Sequence, residues 1–191
     1  CRSSFARHLI VFNPMKNCGK FHFRFYLLCC SETYVCVKIR IHVKTDEMVE
    51  EDQYMADEPT RDGLSTKVLN QLILDMARPL YHKGITLNFN NYYASPSAAI
   101  ELLKFGVFCR GTLRRNKKLI PPFILFSKSE ARHKESRGKV KIAVNKKFGL
   151  VAAGWVDGNP VHLISSADTH ALTTVQRRVG GDKSAFTAPE S

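Results

Sequence analysis

The sequence predicts a mixed α/β fold that runs into a basic, β-rich region. Three observations carry this expectation. Two runs that alternate apolar and polar residues, 21–30 and 34–43, flank the short polar link Ser31-Glu32-Thr33. A helical stripe, a strand and a second helical stretch follow one another between residues 64 and 105. Three short apolar segments within 139–165 come after a stretch dense in lysine and arginine.

Taken in order, Phe5–Phe12 is weakly patterned, Asn13-Pro14 ends it, and Asn17–Lys20 with Gly19 reads as a turn. Phe21–Cys30 (FHFRFYLLCC) and Tyr34–Val43 (YVCVKIRIHV) have the period of two residues that a strand requires, and so short a link makes them an antiparallel hairpin. Thr45–Asp62 is acidic and poor in large apolar residues, so it reads as a loop; the rival reading folds it over a basic surface. Leu64–Leu80 places apolar residues at 64, 68, 69, 72, 73, 76 and 80, a helical stripe that Ser65 or Thr66 can cap and that Pro79 and Gly84 bound.

Ile85–Ser95 (ITLNFNNYYAS) is the stretch on which function turns. Ile85, Leu87 and Phe89 alternate with Thr86, Asn88 and Asn90; Asn90-Asn91 supplies a turn, and Ser95-Pro96 an N-cap followed by proline at the first helical position. Ser97–Phe105 continues as a helix stopped by Gly106. In open α/β sheets, ligands gather at the carboxyl ends of strands. Asn90 stands at such an end, with an amide where a carboxylate would make a metal site. Val107–Leu113 is a further strand and Phe123–Phe126 is apolar. Lys128–Arg137 reads as a charged loop, and Lys139–Val144, Gly149–Val156 and Val161–Ser165 as β segments, the last two joined by a turn at Asp157-Gly158-Asn159-Pro160. The polar stretch from Ala167, with Gly180-Gly181, is expected to have no core of its own.

The chain has 191 residues, enough for one core with a small subdomain, and carries a net charge of +12. Residues 46–62 hold −7, whereas residues 106–150 hold +11, a concentration that suggests a polyanionic partner, most simply nucleic acid. No apolar run approaches the roughly 18–20 residues of a membrane span, and Leu9–Phe12 is too short for a signal peptide. The start at Cys1 reads as a fragment, a processed product or a partial gene model. The six cysteines show no zinc-site spacing; Cys29, Cys30 and Cys36 read as small buried hydrophobes of a reduced, intracellular protein. Trp155 reads as a packing anchor, and Tyr92 and Tyr93 as core residues in preference to base-stacking ones.

Four motifs now stand in order: NPMKNCGKFHFRFYLLCCS, FNNYYAS, RGTLRRNKKLIPP and GWVDGNPVHLISSADTH. They resemble, in turn, the "KP…G.K.…CDS", "DN.YTS", "GT.R.NRK..P" and "W.D.K.V.LST.H" motifs of piggyBac-type transposases and piggyBac transposable element-derived proteins. Each is weak alone; their common order, from about Asn13 to His170, is what makes the resemblance specific. It implies a ribonuclease-H-like mixed sheet with flanking helices, here incomplete, plus a basic β-rich insertion. The corresponding division is a leader over 1–12, a partial catalytic core over 13–113, the insertion over 114–170 and a polar tail over 171–191.

The resemblance also implies three aspartates that together hold two Mg²⁺ ions for DNA cleavage and strand transfer. Such chemistry needs hard, anionic oxygen ligands. Cys30 stands where the first aspartate is expected and Asn90 where the second is. The third belongs to a "GGVD..D" motif that the chain lacks before Ser191; Gly180-Gly181-Asp182 matches it only superficially. Asp46, Asp75 and Asp157 are the other aspartates considered as replacements, and none falls at the end of a central strand. The expectation is therefore a domain with no intact catalytic site, no resident metal and residual DNA binding. The alternatives are an active metal-dependent transposase and a non-functional gene relic. Arg110, Arg114, Arg115, Lys117 and Lys118 are the expected phosphate-contacting residues, with a solvated or nuclear-import-like patch as the plainer reading. A DNA partner places the protein in the nucleus. His42, His162 and His170, like the other histidines, read as structural or exposed.

Overall fold

The computed structural model describes residues 4–14, 17–43, 68–132, 136–179 and 182–189. It shows a mixed α/β chain that divides into two compact units, Cys1–Pro79 and Leu80–Ser191.

In the first unit a 3-10 turn over Ser4–Leu9 leads into β1 (Ile10–Phe12), which pairs antiparallel with β2 (Phe21–Phe23). The expected leader therefore contributes a strand. β3 (Phe25–Cys29) and β4 (Cys36–Ile41) form the expected antiparallel hairpin, with Phe25 opposite Ile41, Leu27 opposite Ile39 and Cys29 opposite Cys36. The single strand expected over 21–30 is thus two, separated at Arg24, and it changes partner there from β1 to β4. Phe21, Phe23 and Phe25 keep their period of two across Arg24 before the run becomes wholly apolar, so periodicity alone does not mark the change.

The helix α1 (Val68–Ala77) lies against β3 and β4. Asp75 reaches Lys38 Nζ and Arg40 Nη1, each at 3.0 Å. Desolvation raises the Asp75 pKa, but the two cations outweigh it and the net shift is downward. Register sets Tyr26 opposite Arg40 and Leu28 opposite Lys38, so this face of the hairpin meets α1. The other face, with Phe25, Leu27, Ile39 and Ile41, is exposed. Cys29 and Cys36 are exposed and Cys30 is half-buried, which corrects the expectation that all three are buried. Alternation separates the two faces of a ribbon without saying which one is covered. The capping residues expected at Ser65 or Thr66, and the acidic stretch Thr45–Asp62 with Asp46, lie outside the described residues.

The second unit holds a five-stranded mixed sheet in the order β5-β6-β9-β8-β7. Its strands are β5 (Thr86–Phe89), β6 (Phe108–Thr112), β7 (Val140–Asn145), β8 (Leu150–Val156) and β9 (Pro160–Ser165). β5 and β6 are parallel and every other pair is antiparallel. A parallel pair needs a crossover, and α2 (Pro96–Lys104) supplies it. Ser95 Oγ accepts the Ala98 N–H at 3.1 Å and Pro96 opens the helix, as the sequence predicts. Gly106 ends it at φ 65°, with the Val107 N–H returning to Leu102 O at 3.1 Å. Pro96, Ala98, Ala99, Ile100, Glu101 and Leu102 are all buried, so the helix is covered on more than one side.

Strands from both sides of residue 113 share this one sheet, so the basic region is built into the same ladder as β5 and β6. The charged loop expected over Lys128–Arg137 contains a five-residue helix, α3 (Lys128–Arg132). It is opened by a capping box: Ser127 Oγ accepts from Glu130 N at 3.1 Å, and Glu130 Oε2 accepts from Ser127 N at 2.6 Å. The expected tail over 171–191 is instead a hairpin of β10 (Leu172–Val179) and β11 (Asp182–Pro189), lying against β7 and β8. Trp155 Nε1 donates to Thr187 O at 2.9 Å, which ties the hairpin to the sheet.

Candidate nucleic-acid interface

Because β5 and β6 are parallel, their carboxyl ends open at the same edge of the sheet. Phe89 pairs with Gly111, and a Cβ on Gly111 would meet Phe89 O at 2.5 Å. The glycine of the RGTLRR motif thus allows the two strands their close approach. The turn after β5 and the basic loop after β6 emerge side by side.

In the turn, Asn90 Oδ1 accepts the Tyr92 N–H at 3.0 Å, and Asn90 O accepts from Tyr93 N and Ala94 N. This is an Asx-turn, for which asparagine is well suited. Tyr92 and Tyr93 meet edge to face at 5.0 Å. Tyr93 is half-buried, whereas Tyr92 is 43% exposed and does not belong to the core.

From the neighbouring loop, the Arg114 guanidinium carbon lies 5.4 Å from the centre of the Tyr92 ring and Nε donates to Asn91 Oδ1 at 3.4 Å. Lys117 Nζ donates to Tyr92 O at 3.3 Å. Two of the five expected basic residues are therefore brought to the Asn90 turn. Arg115 and Lys118 are exposed on the same loop. Arg110 differs: it sits within β6 and pairs with Asp168 at 3.1 Å. Ser165 Oγ donates to the same carboxylate at 2.7 Å and accepts the Ala167 and Asp168 N–H groups, so the acid is fixed in place. The sequence points to Asn91 only as a turn former and does not single out Asp168. Asn91 lies in the FNNYYAS motif beside Asn90; Asp168 is distant from Arg110 along the chain, and no local pattern joins them.

The Cys30 position belongs to the first unit. Its thiol accepts the Thr33 N–H at 3.5 Å, and hydrogen bonding from Thr33 lowers its pKa. The Asp75 oxygens are taken by Lys38 and Arg40, and Asp157 lies 3.6 Å from Arg137.

The profile of a transposase family described as Transposase IS4 matches residues 10–190. The chain belongs to the transposase IS4 family. A piggyBac transposase, solved by cryo-electron microscopy in a synaptic complex with hairpin DNA, has the same fold over 85% of this chain, with a TM-score of 0.60 and 17% identity. The chain covers 30% of that transposase chain. No curated protein sequence matches it. The chain is thus a domain of the transposase IS4 family with the fold seen in a piggyBac transposase.

The donors at Cys30 and Asn90 do not fit a hard divalent cation. A thiol is a soft ligand. The Asn90 carbonyl is uncharged and already accepts a backbone N–H. Among the described residues, no group of three or more His, Cys, Asp or Glu side chains is arranged to hold a metal.

Proposed function

We propose that this chain is a catalytically silent piggyBac-like transposase domain, ribonuclease-H-like in fold, that binds DNA by its phosphates. The observation that carries this reading is the meeting of the Asn90 turn with Arg114 and Lys117 at the carboxyl ends of β5 and β6. The position suited to a metal carboxylate holds an amide engaged in its own turn, while cationic groups gather around it. Cationic side chains at a strand edge contact phosphates without reading sequence. Exposed Tyr92, beneath Arg114, offers a ring face to an unpaired base. The DNA complex of the structural relative supports the choice of DNA as the polyanion. A DNA partner implies action in the nucleus.

The test uses the full chain with a fluorescent duplex carrying a hairpin end, in the presence of Mg²⁺ or EDTA. Binding should be equal in both, and no nicked or joined product should form. Arg114→Ala with Lys117→Ala should weaken binding roughly tenfold. Metal-dependent nicking by the unmodified chain would establish the active transposase instead. Unchanged binding by the double variant would remove the interface from this turn.

A further inference from the structure

The loop end of the β3–β4 hairpin carries two exposed thiols that the transposase reading does not use. β3 ends at Cys29 and β4 begins at Cys36, and the two are direct cross-strand partners. Both are exposed, so a dissolved oxidant reaches them. Partners in an antiparallel ladder have Cα atoms about 4.5 or 5.5 Å apart, within the roughly 4.4–6.8 Å that a disulfide spans. The register shifts between Leu28 and Cys29, which leaves this end of the ladder less constrained than its middle. The Cys36 thiol donates to Lys38 O at 3.4 Å. Desolvation and then the neighbouring Cys36 push the Cys29 thiol up, the second of these requiring that the thiols be close.

We propose that Cys29 and Cys36 are an oxidation site: a dithiol that a small disulfide oxidant, such as oxidised glutathione, converts into a cross-strand disulfide. The adjacent Cys30 is excluded by geometry. It follows the strand, and its thiol is turned to the Thr33 N–H at 3.5 Å. The exchange runs in two steps. One protein thiol, as its thiolate, attacks a glutathione sulfur and releases the first glutathione thiolate. The second protein thiolate attacks the resulting mixed disulfide and releases the second. Two protons leave the protein thiols, and two electrons pass to the oxidant, which becomes two reduced thiols. The product clasps the loop end of the hairpin, across the Cys30–Val35 connection that joins the strands. The inference is independent of DNA binding.

The test treats the reduced full chain with oxidised glutathione under native conditions, blocks the remaining thiols with an alkylating agent and digests with trypsin. Cleavage after Arg24 and Lys38 leaves Cys29, Cys30 and Cys36 in one peptide. That peptide should lose two hydrogens and carry a single alkyl group, on Cys30. Cys30→Ser should keep the internal bond and Cys36→Ser should abolish it. Separate glutathione adducts on Cys29 and Cys36, or an internal bond that includes Cys30, would overturn the proposal in the unmodified protein, whatever the variants do. So would the same single linkage formed equally fast in denaturant, since proximity along the chain would then explain it.

Discussion

His162 stands on β9, only 5% exposed, with Nε2 accepting the Phe126 N–H at 3.2 Å. The ring must be neutral to accept. Burial, and then the nearby Arg115, hold its pKa below the usual histidine value. The unfolded chain therefore takes up a proton that the folded one resists. This contribution to stability is present above the unfolded pKa of about 6.5 and is lost as pH falls through the lower folded value. Trp155, the sole tryptophan, lies on the adjacent strand and reports on this unit. The urea midpoint of its fluorescence should fall between about pH 7 and pH 5, and His162→Gln should flatten that fall, because the glutamine oxygen can still accept from Phe126. An unchanged slope in the variant would assign the acid sensitivity elsewhere. The structural reading of His162 was available from its place in an apolar strand, but its partner across the chain was not. Arg110 and Arg114 show the same limit. Both looked like phosphate contacts, and only the fold reveals that Asp168 neutralises one while the other reaches the Asn90 turn.

Local chemistry marked the elements most clearly where it was complete within a few residues. Ser95-Pro96 and Gly106 bracket α2 in the sequence and in the structure because caps act over a single turn. The capping box Ser127-Lys128-Ser129-Glu130 was equally local, yet it was absorbed into a run of charges. The closing hairpin was hidden by its polarity. Among its described side chains only Ala188 is buried, and part of its anchorage comes from Trp155 on another strand. Gly154 shows how an element can depend on a distant one. A Cβ there would collide with the carbonyl oxygen of Ile124, in the 3-10 turn over Pro122–Ile124. Backbone meets backbone, so no side chain can swing aside. Gly154→Ala should cost roughly 2–4 kcal/mol, read as a lower urea midpoint of Trp155 fluorescence, whereas Gly149→Ala meets open space and pays only for its positive φ. A near-neutral Gly154→Ala would mean that the turn is free to move off β8.

At the scale of the molecule, charge is segregated along the sequence. Within the net +12, residues 46–62 hold −7 and residues 106–150 hold +11, and the two stretches must be weighed separately when DNA is the partner. Nominal charge also overstates what a phosphate meets. Arg110 is paired with Asp168 and Lys141 lies 3.9 Å from a Glu130 oxygen, whereas Arg114 leans on an amide and a ring and Lys117 reaches a backbone carbonyl. Each phosphate neutralised on duplex DNA contributes about −0.9 to the slope of log affinity against log salt. If the proposed interface is used, Arg114→Ala with Lys117→Ala should make that slope shallower by about 2. Arg110→Ala should leave it nearly unchanged while destabilising the fold, because the substitution strands the Asp168 carboxylate. Measuring anisotropy titrations across a salt series separates these outcomes, since a merely misfolded variant changes the fraction that binds, whereas loss of a phosphate contact changes the slope. A slope that falls equally in both variants would show that the field of the whole basic region attracts DNA, with no role for the turn at Asn90.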